Sequence, residues 1–251
     1  MPITSLKLQN LRKRFHSNPV VLSLESLSLY DGMVTCILGP TGCGKSTLMS
    51  MLAGIDLDYE GTIIADTSGH FRISYQFQTD LLLPWRNVTG NILLPFEVSS
   101  QKCAPEKLEG LIKSLWLEDV QEKFPEELST GTRQRVALAR ALIVDADLRI
   151  FDEPLSAQDF ASRLHLEAVL RSELRRSDKI SIIVTHNVEE AIVLGDRVLV
   201  LGGSPTRVVA DFHISGLPEI NRPVAARKSD AFASYVAQAS AALVSKAPPS
   251  R

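Results

Sequence analysis

The residues Gly39-Pro40-Thr41-Gly42-Cys43-Gly44-Lys45-Ser46-Thr47 fit the pattern GxxxxGK[ST] without a gap. They follow the apolar run Val34 to Leu38 and precede the helix-like stretch Leu48 to Ala53. Strand, glycine-rich loop and helix in that order make a phosphate cradle. Glycines let backbone N–H groups close around phosphate oxygens, a lysine reaches the β/γ-phosphates, and a hydroxyl holds Mg²⁺. Lys45 and Ser46 fill the last two roles. Further along, the run Leu148-Arg149-Ile150-Phe151 ends in Asp152-Glu153-Pro154. An acid at the end of such a strand supports Mg²⁺, and a neighbouring carboxylate acts on water as general base, typically worth roughly 10² to 10⁴ in rate. Alone, Asp-Glu-Pro is usually just a turn. Downstream of a phosphate loop it reads as a catalytic pair, Asp152 for metal and Glu153 for water.

Those side chains need a scaffold. Leu6/Leu8, Leu22/Leu24 and Leu27/Leu29 alternate with period two before the Asp31-Gly32 turn signal, which predicts an antiparallel β-layer ahead of the phosphate loop. Leu148 to Phe151, Ile180 to Val184 and Val198 to Leu201 are short apolar segments separated by helix-patterned stretches, as in βαβ units of a parallel sheet. A nucleotide then belongs at the strands' C-terminal ends. Between Asp80 and Leu128 the strand signals vanish, and Leu108, Leu111, Ile112 and Leu115 share a helical face after Pro105, a first-turn residue. Residues from about 83 to 140 therefore read as a helical insertion. Phe232, Val236, Ala239 and Leu243 lie on one helical face, so 221–251 reads as a helical tail that docks, with a frayed end at Pro-Pro-Ser-Arg. There is no internal repeat.

At 251 residues the chain is long enough to bury a large core, as one domain with a subdomain or as two small domains. A net charge of -2 gives no electrostatic reason to expect nucleic acid as a partner. No apolar run approaches the roughly 18 to 20 residues of a membrane span, and Met1 to Asn10 lacks a basic stretch followed by an apolar one. The expectation is a chain that stays in the cytoplasm. Cys36, Cys43 and Cys103 are odd in number and form no CxxC, so they read as reduced thiols rather than a disulfide framework or zinc site. His16, His70, His165, His186 and His213 are too scattered for a local metal motif.

Leu128-Ser129-Thr130-Gly131-Thr132-Arg133-Gln134-Arg135, just ahead of the acidic pair, resembles the signature of ABC-type ATPases. Its physical logic is a second helix N-terminus whose free N–H groups and dipole attract phosphate. The resemblance runs from Phe15 to Asp196 and implies an α/β fold: a P-loop NTPase (RecA-like) core with an N-terminal antiparallel β-layer and an inserted α-helical subdomain, within a domain of residues 1–220. It implies ATP and Mg²⁺ as ligands, with Ser46, Asp152 and Gln78 around the metal. It implies that Gln78 also meets the attacking water, that His186 contacts the γ-phosphate, and that Asp159 in Ser156-Ala157-Gln158-Asp159 crosses a dimer interface. Leu128, Ser129 and Gly131 then serve the γ-phosphate of a second copy. Phe15 either stacks on adenine or is plain core. Leu82-Leu83-Pro84-Trp85, Thr185-His186-Asn187-Val188-Glu189-Glu190-Ala191 and Gly195-Asp196-Arg197-Val198 are most similar to the nitrate/sulfonate/taurine importer group. That flavour implies separate permease subunits, a solute-binding protein, and a place at the cytoplasmic face of the inner membrane.

The chain departs from the family pattern in places. Thr130 and Thr132 stand where glycine and a longer polar residue are usual, and a β-branched residue is strained wherever the backbone needs φ > 0. Gln158 replaces the usual leucine. Arg149 interrupts an apolar strand and is expected to reach a sheet edge or pair with an acid. The loop Leu81 to Asn91, with Trp85 and Arg86, is either a permease docking surface or part of the helical insertion's core. Two rival readings remain. A soluble ABC-type mechanoenzyme needs a coiled coil, zinc insertion or tandem cassette that this sequence lacks. A binding module with weak hydrolysis in a non-transport assembly is motivated by Thr130.

Overall fold

The computed structural model describes residues 5–15, 19–66, 71–219 and 222–245. His16, His70 and the expected frayed end lie outside the described residues. The period-two leucines build β1 (Ser5–Arg14) and β2 (Val20–Tyr30), paired antiparallel with Leu6 opposite Leu29 and Leu8 opposite Leu27. The chain then enters β3 (Val34–Leu38), crosses the glycine-rich loop into α1 (Lys45–Leu52), and returns as β4 (Glu60–Ala65) on the other edge of β1. After β5 (Ile73–Gln76) come α2 (Val88–Val98), α3 (Pro105–Ser114) and α4 (Thr130–Leu142). Asn87 and Ser129 cap α2 and α4 through their side chains, and Pro105 opens α3.

The second half alternates strand and helix: β6 (Leu148–Asp152), α5 (Phe160–Arg175), β7 (Ile180–Val184), α6 (Val188–Leu194), β8 (Arg197–Gly202) and β9 (Arg207–His213). Short α7 (Arg222–Ala225) and α8 (Asp230–Ser245) close it. The second sheet has the order β5-β6-β7-β3-β8-β9, parallel throughout except for β9. Beneath one face lie the three-stranded layer and α1; on the other lie the helices. Covering both faces makes the parallel strands apolar on both sides. In β6, Leu148 and Ile150 face the β-layer while Phe151 faces the helices.

β4, β5 and β9 escape the hydrophobic pattern because each is only partly buried. On α8, Phe232 and Ala239 are buried and Val236 and Leu243 partly so. The segment after α7 is clasped to α5: Arg227 donates to both carboxylate oxygens of Glu167 at 2.8 and 2.9 Å, and Glu167 is 0% exposed.

Arg149 overturns its expectation. It sits in an interior strand, is buried, and makes no ion pair among the described residues; one guanidinium nitrogen donates to Val144 O at 3.5 Å and Nε has no partner. Strand alternation turns it, like Phe151, toward the helices, and burial pushes its pKa down. Replacing a poorly compensated buried charge by an apolar residue is often neutral or stabilising. Arg149→Leu is therefore expected to raise the melting temperature by about 2–4 °C, roughly 1 kcal/mol for a domain of this size. A fall in calorimetry would show that the charge is better satisfied than its hydrogen bonds indicate.

Candidate active site

The phosphate loop is shaped by close backbone approach. A Cβ on Gly39 would lie 2.9 Å from Leu201 O, so only glycine fits there. Gly44 enters α1 at φ 92, a left-handed conformation that costs glycine little. Lys45 folds back over its own loop, donating to Gly39 O at 2.8 Å and Pro40 O at 3.0 Å.

One strand delivers both acids, and its neighbour delivers the histidine. Asp152, the last residue of β6, is buried and accepts a 3.0 Å hydrogen bond from Ser46 Oγ. Burial is the main cause that raises its pKa, with the Glu153 charge adding and the Ser46 bond opposing. β6 and β7 run in register with Asp152 opposite Val184, and Glu153 N donates to Val184 O at 2.8 Å. That register brings Glu153 to His186, whose Nδ1 lies 2.8 Å from Glu153 Oε2.

These groups line one cavity of about 530 Å³: Thr41, Gly42, Gly44, Lys45, Ser46 and Thr47 from the loop, with Gln78, Asp152, Glu153 and His186. Gly39, Pro40 and Cys43 support the loop without lining the cavity. Ser46 hydroxyl, Asp152 carboxylate and Gln78 amide offer oxygen donors beside a buried carboxylate, and a hard cation such as Mg²⁺ fits that set.

Other expected site residues stand apart. Leu128, Ser129 and Gly131 do not line this cavity; Ser129 Oγ caps α4, accepting from Thr132 N at 3.1 Å. Thr130 and Thr132 have ordinary helical backbone, so the feared strain is absent. Asp159 caps α5 by accepting from Ser162 N at 3.0 Å. Phe15 is not core: it is 41% exposed, with Lys13 Nζ 5.0 Å from its ring centroid. Trp85 is 71% exposed and so is not part of an insertion core.

The profile of the ABC transporter family matches residues 22–156. Aliphatic sulfonates import ATP-binding protein SsuB 2 of Burkholderia cenocepacia (strain HI2424) is 35% identical over 217 residues, 85% of this chain and 78% of that protein. The chain belongs to the ABC transporter family. SsuB of Bacillus subtilis (strain 168) is 33% identical over 208 residues, 81% of each chain. Among solved structures, a dimeric post-hydrolysis state of the ATP-binding cassette MJ0796, bound to ADP and Pi, matches with TM-score 0.73 and 25% identity over 84% of this chain and 100% of that one. As an ABC ATP-binding subunit, the chain binds and hydrolyses ATP to power transport. Among the described residues no helix is long and apolar enough to cross a membrane.

Sequence reasoning missed three residues around this ABC site. Tyr75 sits near Asp152, and burial followed by the Asp152 charge pushes its hydroxyl pKa up. Gln134 is a buried amide in the middle of α4, a polar residue at an otherwise apolar helical position. Glu190 is buried beside Glu153 and His186, lining a small cavity with them, and its Oε1 has no hydrogen-bond partner.

Burial raises the Glu190 pKa from the ordinary 4.5 to about 8, with the Glu167 charge adding. The folded state thus holds a proton that the unfolded state releases across that window, and stability falls as pH rises from about 5 to 8. Glu190→Gln removes this decline. The parent's melting temperature is expected to drop on the order of 5 °C more than the variant's between pH 5 and pH 8. Equal slopes would show that the carboxyl ionises normally.

Proposed function

We propose that this chain is the ATP-hydrolysing subunit of a binding-protein-dependent importer of a small solute, of the sulfonate, nitrate or taurine type. One observation carries the hydrolytic part: Ser46–Asp152 and Glu153–His186 are two side-chain pairs meeting over one phosphate loop. The names of relatives such as SsuB support import of aliphatic sulfonates.

In this reading the nucleotide's phosphates replace the carbonyl partners of Lys45, and the loop amides from Gly39 to Thr47 surround them. Ser46, Asp152 and Gln78 hold Mg²⁺, which when bound neutralises phosphate charge. Glu153 takes a proton from the attacking water while His186 keeps that carboxylate oriented and faces the γ-phosphate. Phosphoryl transfer depends mainly on positioning and electrostatics, so assembling these groups is the catalysis. The signature residues Leu128, Ser129 and Gly131, outside their own chain's cavity, act on the ATP of a second copy, and Asp159 meets the partner at the interface. Phe15 offers an exposed ring for adenine.

The domain of residues 1–220, with its helical subdomain at about 83–140, works at the cytoplasmic face of the inner membrane, and 221–251 forms the tail. Separate permease subunits supply the membrane spans, and a solute-binding protein delivers cargo. Exposed Trp85 marks the permease contact.

Two experiments test this. Glu153→Gln is expected to lower steady-state phosphate release roughly 10² to 10⁴-fold while retaining ATP binding; unchanged turnover would favour a module that merely holds nucleotide. Trp85→Ala is expected to abolish solute uptake in the assembled transporter with basal hydrolysis within about twofold of the parent, since nothing near the cavity changes. Unimpaired uptake would move the docking surface elsewhere.

A further inference from the structure

Glu153 has φ 52, a left-handed backbone conformation. For a non-glycine residue this is strained backbone that persists only where the surroundings enforce it. The enforcement is visible. Glu153 O accepts from Gln134 Nε2 at 2.9 Å and from Ser156 Oγ at 3.1 Å. Gln134 Nε2 also donates to Ser156 Oγ at 3.0 Å, while Gln134 Oε1 accepts from Ala157 N at 3.0 Å and Gln158 Nε2 at 3.1 Å. The second Gln158 proton goes to Gly131 O at 2.9 Å.

A continuous line of bonds therefore joins Glu153 to Gly131 through two buried amides. One end carries the group that faces the chain's own γ-phosphate; the other is the signature turn. The approach at that end is close, because a Cβ on Gly131 would lie 3.2 Å from Ala157 O and 3.5 Å from the Gln158 amide. In a buried setting such bonds are strong and an unmade one is costly. Leucine at 158 would fill similar volume but donate nothing to Gly131 O or Gln134 Oε1.

We propose that Gln158 is a positioning residue that locks the signature turn to the loop carrying Glu153, so that the two nucleotide sites of a dimer act together rather than independently. This rests on the reading that the signature serves the partner's ATP. An ATP that draws in Ser129 and Gly131 pulls, through Gln158 and Gln134, on the carbonyl of the base at the other site.

The test uses the full chain as Gln158→Leu, Gln158→Glu, Gln134→Leu and the double leucine variant. It measures ATP turnover against ATP concentration and MgADP affinity by calorimetry. Gln158→Leu is expected to lower kcat about tenfold and bring the Hill coefficient toward 1, with MgADP affinity within about twofold of the parent. Gln158→Glu keeps the length but loses the donors, and is expected to fall at least as far. Because both glutamines belong to one line of bonds, the double variant is expected within about twofold of the worse single one. The proposal is overturned if either Gln158 variant keeps kcat within about twofold of the parent, if MgADP affinity and kcat fall together, or if the two leucine defects multiply. Ser129→Arg separates the premises. Parent-like hydrolysis in Ser129→Arg removes the trans reading and this proposal with it; an inactive Ser129→Arg beside an unimpaired Gln158→Leu removes only the role of Gln158.

Discussion

The hydrogen bond from Ser46 to Asp152 joins parts of the sheet that are not neighbours. The phosphate loop leaves β3 and Asp152 ends β6, with β7 between them. The bond forms only because three parallel strands finish at matching depth, Ile37 and Asp152 each level with Val184. A slip of one residue in the β6–β7 pairing would turn Asp152 to the helical face and bring Phe151 to the loop. The register is held by side chains that are apolar on both faces, so the accuracy of the catalytic geometry is inherited from ordinary core burial.

Around that frame the charges are treated unequally. Asp152 is buried but has the Ser46 hydroxyl, and Glu153 has His186. Arg171 is tied to Leu194 O and Asp196, and Asp196 in turn accepts from Val34 N at the start of the phosphate-loop strand. Arg149 and Glu190 are the exceptions, buried charges for which the described residues supply no ion pair and which each keep an unbonded side-chain atom. Both lie one layer behind the site: Arg149 in the strand that delivers Asp152, Glu190 in the helix that follows His186.

Much of this was legible in the chain. The phosphate loop and acidic pair announce themselves because phosphate chemistry admits few residue types at those spacings. The buried parallel strands announce themselves as apolar runs. β4, β5 and β9 do not, since half-exposed strands carry mixed side chains that resemble loops. Arg149 was misjudged because one-dimensional pattern cannot say that β6 is interior or that its odd positions face helices. Gln134 and Gln158 were invisible as a pair: they lie on different elements, and only folding puts one amide on the other.

The clasp between Arg227 and Glu167 gives the tail a meaning beyond its length. Glu167 belongs to α5, the helix capped by Asp159, so losing the tail would strand a bare carboxylate in the interior. Breaking a buried pair by removing one partner is strongly destabilising. The segment that carries Arg227 is therefore no appendage: it and the body should melt in one step, and trimming upstream of Arg227 would compromise the whole.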